Sequence, residues 1–191
     1  MNTEKLDRRI KYTNLLLRES LVRLMQATPI SKISVKMLCD SADINRSTFY
    51  AHYTDPYDLL RKLEQEVMAE INEYINAQDT SERSEFTTQI LIHILEYAAK
   101  NSELVKVLLS ENSDSKFQED IMTLAQRKLI ESVQNAQNLD PRISEYLQCF
   151  IVSAAIRVIE KWLLDGMIEP PQQMAELISK LLMRGISPYY L

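Results

Sequence analysis

Apolar residues recur at helical spacing along nearly the whole chain, interrupted by polar clusters and prolines, and the periodicity predicts helices throughout. A first helix from about Glu4 to Ala27 turns Ile10, Leu16, Leu17, Leu21, Leu24 and Met25 inward, and Thr28-Pro29 ends it. Val35, Leu38, Cys39 and Ala42 then fall at i, i+3, i+4 and i+7 on one face of a short helix that Ser34 can cap. The segment Asn45 to Tyr53 is different: it buries only Phe49 and Tyr53, and Asn45 is a candidate N-cap. Asp55-Pro56 opens a long helix reaching to about Ala77.

Further helices are predicted from about Glu82 to Lys100, Ser102 to Leu109 and Lys116 to Asn135, separated by Asn and Ser clusters. Asp140-Pro141 starts another that runs to Asp165, with Gly166 placed to end it, and Glu169-Pro170-Pro171 precedes a last one from Gln172 to about Met183. The helix over 141–165 carries Phe150, Ile151, Val152, Ala154, Ala155, Ile156, Val158, Ile159, Trp162, Leu163 and Leu164 on more than one face. A helix so nearly apolar all round needs partners on both sides, and in a protein this small a second subunit is a plausible one. The expected fold is all-α, with no internal repeat.

Composition supports this. The 191 residues include two glycines, Gly166 and Gly185, which leaves few sites for tight hairpins, and 46% are hydrophobic, enough for a sizeable core. Cys39 and Cys149 fit no metal spacing and read as reduced cysteines. Without a membrane-length apolar run or an apolar leader, the expected location is cytoplasmic and away from membranes. The net charge of −5 divides unevenly: residues 1–54 hold nine Lys or Arg against five Asp or Glu, whereas residues 55–191 hold 13 against 22. The basic end is the one with the two short helices, as phosphate attraction requires.

Residues 35–53 therefore read as a helix-turn-helix. Cys39 and Ala42 let the two helices cross closely, and Ile44 plugs the corner beneath the turn. On the second helix, the fork of the Arg46 guanidinium suits a guanine edge, and Asn45, Ser47 and Thr48 suit bases or phosphates. Tyr50 and His52 suit the DNA backbone, as does Lys36 on the preceding helix. The plainer alternative is a solvated polar surface.

These residues resemble the TetR-type transcriptional regulators, whose DNA-binding unit is followed by a Tyr-x-His-Phe-like signature, here Tyr50-Ala51-His52-Tyr53. The resemblance covers roughly residues 1–65, and beyond them only the helical architecture matches. Two positions depart from the family: Asp43 stands where the turn usually has Gly, and Pro56 where a phosphate-contacting Lys often stands. Asp tolerates the left-handed conformation better than most residues, whereas Pro donates nothing to a phosphate.

The resemblance implies a three-helix DNA-binding domain over residues 1–55 and a helical effector-binding and dimerisation domain over 56–191. It implies a homodimer on double-stranded operator DNA, joined through the last two helices, with recognition helices about 34–36 Å apart or a small multiple of that. It further implies repression relieved by a small molecule, conveyed by the helix over 57–77, with no cofactor. The chain also resembles the branch containing regulators of dihydroxyacetone kinase operons, in which a protein partner acts and regulation can be activation.

An effector site is less legible. His93 lies in an apolar stretch and reads either as a cavity wall or as a satisfied interior residue. Arg157 sits among apolar neighbours, where an unpaired cation is costly, so it would meet an anionic ligand or a Glu across the dimer. Tyr97, Phe117, Met122, Phe150 and Trp162 read as pocket walls or as ordinary core. No Gly-rich phosphate loop, nucleophile elbow or metal spacing suggests an enzyme.

Overall fold

The computed structural model describes residues 2–77, 83–133 and 140–184, with side chains described for 10–76, 88–127, 140 and 142–182. The described residues form only helices and connecting turns: α1 (Asn2–Met25), α2 (Val35–Ala42), α3 (Arg46–Tyr50), α4 (Pro56–Ala77), α5 (Arg83–Lys100), α6 (Ser102–Leu109), α7 (Ser115–Val133), α8 (Pro141–Leu164) and α9 (Pro171–Arg184). These boundaries lie within a few residues of those expected from periodicity. The predicted end of α7 at Asn135 lies outside the described residues. One element was not anticipated, a single 3-10 turn at Ile30–Lys32 between α1 and α2.

The chain divides into two compact units, Met1–Ala69 with Val107–Phe117, and Glu70–Lys106 with Gln118–Leu191. Three helices, α4, α6 and α7, pass from one unit into the other. In the first unit, Leu17, Leu21 and Met25 of α1 are buried with Leu38 of α2, Phe49 of α3 and Leu59 and Leu60 of α4. Ile10, expected inside, is over a third exposed. In the second unit α5 packs on α9 and α8, burying Leu91, Leu95, Trp162, Leu163, Ala175 and Ile178. A hydroxyl pair, Thr88 Oγ1 to Ser179 Oγ at 2.9 Å, also joins α5 to α9.

Helix ends follow local chemistry. Asp140 Oδ1 accepts from the Arg142 N–H at 2.8 Å and starts α8. At the other end Gly166 takes φ +86°, and the Met167 N–H closes on the Trp162 carbonyl at 2.9 Å, which satisfies an otherwise unpaired helix-end group. The Trp162 indole N–H then donates to the Glu169 carbonyl at 2.9 Å, tying the turn before α9 to the end of α8.

Candidate DNA-binding interface

Ser34 Oγ accepts from the Met37 N–H at 3.2 Å, capping α2. The helix ends at Asp43, whose φ of 53° and ψ of 48° are left-handed, and the Ile44 N–H returns to the Cys39 carbonyl at 3.0 Å. The turn thus keeps the geometry for which Gly is ordinarily used, with Asp bearing a modest steric cost. Asn45 follows in extended conformation, and its side chain makes no capping bond, contrary to the N-cap expectation. Its carbonyl starts α3 instead, accepting from Thr48 and Phe49.

The structured helix α3 is shorter than expected, ending at Tyr50, and the chain turns through Ala51 and His52. Lys62 on α4 explains that end. Its Nζ donates to the His52 carbonyl at 2.9 Å, lies 4.5 Å from the centre of the Tyr53 ring and pairs with Asp58 at 3.6 Å. Asp55 Oδ1 accepts from the Asp58 N–H at 2.8 Å, and Asp58 Oδ2 accepts from the Thr54 N–H at 3.0 Å, a reciprocal cap at the start of α4. The Thr54 hydrogen bond holds the Asp58 carboxyl below the usual carboxylate range, with Lys62 and Arg61 adding to the effect and partial burial opposing it.

A second cation braces α2. Arg23 of α1 donates to the Ser41 carbonyl at 2.7 Å and to Ser41 Oγ at 2.6 Å. Arg18 of α1 and Glu66 of α4 form a further ion pair. Inside, Phe49 is fully buried against Tyr53, ring centres 5.8 Å apart, and meets Tyr50 edge-on at 5.5 Å. Burial raises the Cys39 thiol above its ordinary range, with the Arg46 charge opposing.

With the backbone so braced, Lys36, Asn45, Arg46, Ser47 and Tyr50 are exposed, and Thr48 and His52 are half-buried. Asn45, Arg46 and Ser47 open α3 in direct succession, and Tyr50 lies one turn further on. Arg23 and Lys62 were missed in the sequence. Lys62 left a weak trace in its i,i+4 spacing from Asp58, and Arg23 left none.

The candidate effector residues are not brought together as a group. His93 stacks flat on Tyr74, ring centres 3.5 Å apart, with its buried Nε2 unbonded at 3.9 Å from a Glu70 carboxylate oxygen. Tyr97, one turn along α5, and Met122 of α7 are half-buried. Phe117 is buried and belongs to the other unit. Trp162 is buried with its N–H already engaged by Glu169. Phe150 is 73% exposed, so it does not line an interior pocket among the described residues. Arg157 is not the buried cation its neighbours suggested, since its exposed guanidinium meets Glu160 of its own helix at 2.6 Å. Helical spacing explains the difference, because Phe150 and Arg157 share a face of α8 with Ile143, Tyr146, Leu147 and Leu164, all exposed.

A braced helix-turn-helix at the basic end of a chain whose described residues are helical defines the class, a DNA-binding regulator with a further helical unit. The family model for the C-terminal region of TetR-type transcriptional regulators matches residues 85–184, more than half of the chain. The chain belongs to the TetR family of transcriptional regulators, a family of regulators and not of enzymes. No curated protein matches it in sequence. Among solved structures it is similar to a TetR regulator from Streptococcus agalactiae, 22% identical, covering 95% of this chain and 99% of that one at a TM-score of 0.66. It is similar to FadR from Bacillus subtilis in complex with stearoyl-CoA, 14% identical over 90% and 98% of the two chains at a TM-score of 0.65. It is also similar to the dihydroxyacetone kinase operon activator DhaS, 18% identical over 92% and 97% at a TM-score of 0.58. At these identities the likeness is one of fold. No helix among the described residues is long and apolar enough to cross a membrane.

Proposed function

We propose that this protein is a homodimeric regulator that grips operator DNA through residues 33–54 and changes its affinity when a small molecule occupies the helical unit. The observation that carries the reading is the division of labour around α3. Arg23 and Lys62 hold the backbone, while the exposed side chains of Asn45, Arg46, Ser47 and Tyr50 are left facing outward. Arg46 reads a guanine edge, Asn45, Ser47 and Thr48 touch bases or phosphates, and Lys36, Tyr50 and His52 hold the DNA backbone.

The exposed stripe of α8 supports dimerisation. Ile143, Tyr146, Leu147 and Phe150 form an exposed apolar row, with Leu164 on the same face beyond Arg157, and a second copy would cover it. Two-fold symmetry then sets two recognition helices about 34–36 Å apart or a multiple of that. A small-molecule effector is supported by the fold shared with the stearoyl-CoA complex of FadR and by the buried, unbonded Nε2 of His93, a group that gains from a polar partner. The usual family action, repression relieved by the ligand, is the proposed sign.

The test is selection of genomic DNA fragments by the purified protein, with and without a low-molecular-weight extract of the cells. A two-fold symmetric site recovered without extract and lost with it is the expected result. Absence of any enriched sequence overturns the operator assignment. Release only by the macromolecular fraction overturns the small-molecule effector in favour of a protein partner.

A further inference from the structure

The loop between α6 and α7 makes contacts that a mere connector has no reason to make. Asn112 donates from Nδ2 to the Met25 carbonyl at 2.9 Å, and its own carbonyl accepts from the Ile30 N–H at 2.9 Å. Met25 is the last residue of α1, so its carbonyl lacks a partner inside the helix, and Ile30 opens the 3-10 turn that leads into α2. Both are buried, 1% and 4% exposed, so these backbone groups are ones that need protein partners. The two bonds bracket residues 26–29, the first part of the link from α1 to α2. One asparagine therefore closes that link from outside it, at a sequence distance of more than 80 residues.

The loop is itself built to present that side chain. Ser110 Oγ donates to the Val107 carbonyl at 2.8 Å and accepts the Asn112 N–H at 3.2 Å, folding the loop over the end of α6. Asp114 Oδ1 accepts from the Lys116 N–H at 3.1 Å, capping α7. Residues 107–117, with the end of α6 and the start of α7, thus belong to the first unit, while the earlier part of α6 and the later part of α7 belong to the other. A rigid helix enters the loop and a rigid helix leaves it.

Resting on the operator-binding reading, we infer that Asn112 is a positioning residue that sets the placement of α2 and α3 on the end of α1. Through it α6 and α7 act on DNA affinity by a route separate from α4. By linkage the effect is reciprocal, so DNA that fixes the helix-turn-helix also tightens the loop.

The experiment uses the intact protein and the duplex it selects from random DNA. Asn112→Asp keeps the shape, removes the Nδ2 donor and sets a carboxylate against the Met25 carbonyl. Ser113→Ala is the control in the same loop, since its buried hydroxyl makes no bond. At a temperature where both variants are fully folded, N112D is expected to bind the duplex about 5- to 30-fold more weakly, within the usual span of coupling between sites, and S113A to match the unaltered protein. Hydrogen exchange supplies a readout that a purely structural role would not move. Duplex binding is expected to protect the amides of Ser110–Ser113 in the unaltered protein and not in N112D. Should N112D fold poorly, Asn112→Ala removes the donor without adding charge and is read the same way. Equal affinity of N112D and the unaltered protein, or weakening that vanishes once the variant is cooled to full folding, overturns the inference. If the unaltered protein selects no duplex, the operator reading itself has failed.

Discussion

The two units of this chain differ in how one helix is tied to the next. In the DNA-binding unit, Ser34, Asp55, Asp58, Arg23, Lys62 and Asn112 each bond to a named backbone group, so α2 and α3 are held by hydrogen bonds that specify direction as well as distance. In the other unit Asp140 and Trp162 bond backbone groups at the two ends of α8, and the contacts described between helices are the Thr88–Ser179 hydroxyl pair, the His93–Tyr74 stack and apolar packing, with a further apolar face of α8 left exposed. Directional bonds would suit the proposed presentation of α3 side chains to a groove of DNA. Non-directional packing would suit the ligand and the second subunit proposed for the other unit, since apolar surfaces slide and repack at lower cost than buried hydrogen bonds break.

The comparison breaks first at α8. Phe150→Glu combined with Tyr146→Glu should weaken self-association by at least about 100-fold, because each exposed side chain gains roughly 1.5–3 kcal/mol on burial and symmetry doubles the loss. Sedimentation would show a monomer with unchanged helix content, and a persisting dimer would assign the stripe to something else. Arg46→Ala on α3 should cost about 1–3 kcal/mol of operator binding and relax base preference at one position in each half-site, leaving thermal stability alone. Competition between the selected duplex and single-base variants measures this, and full discrimination by the variant would remove Arg46 from base reading.

Smaller effects sharpen the role of directional bonding. Asp43→Gly should stabilise the protein by up to about 1 kcal/mol by relieving the left-handed residue, whereas Asp43→Val should destabilise it by about 1–2 kcal/mol, read from denaturant midpoints. The smallest effect is one of pH. Because the folded Asp58 carboxyl titrates below its unfolded value, near 3.8, its contribution is present above about pH 4 and is lost as pH falls through the folded value. Unfolding followed from pH 5 to pH 2 should therefore be less steep for Asp58→Asn than for the unaltered protein.

The DNA-binding unit was legible because its rules are local. A cap lies three residues from the group it bonds, a helix face repeats every three or four residues, and Asp43 and Pro56 act on their own backbone, so adjacent letters carry the information. Arg23 and Asn112 were not legible, since their partners are backbone carbonyls and N–H groups, which have no identity in a sequence. In the helical unit, periodicity gave the helices their positions and predicted that one face of α8 would need a partner from another subunit. It could not say which of its many apolar faces would turn outward. Phe150 and Arg157 were read as pocket residues, and both lie on the exposed face.

By itself the sequence determined nine helices among the described residues, the left-handed turn at Asp43, the end of α8 at Gly166 and the polar side chains exposed on α3. Each is settled by chemistry within about one helical turn. Tertiary structure alone decided that residues 107–117 join the DNA-binding unit, that Asn112 closes the link from α1 to α2, and that α8 keeps an apolar face in water. Those outcomes depend on which distant surfaces meet. Apolar packing discriminates among such surfaces only through shape, which exists once the chain has folded.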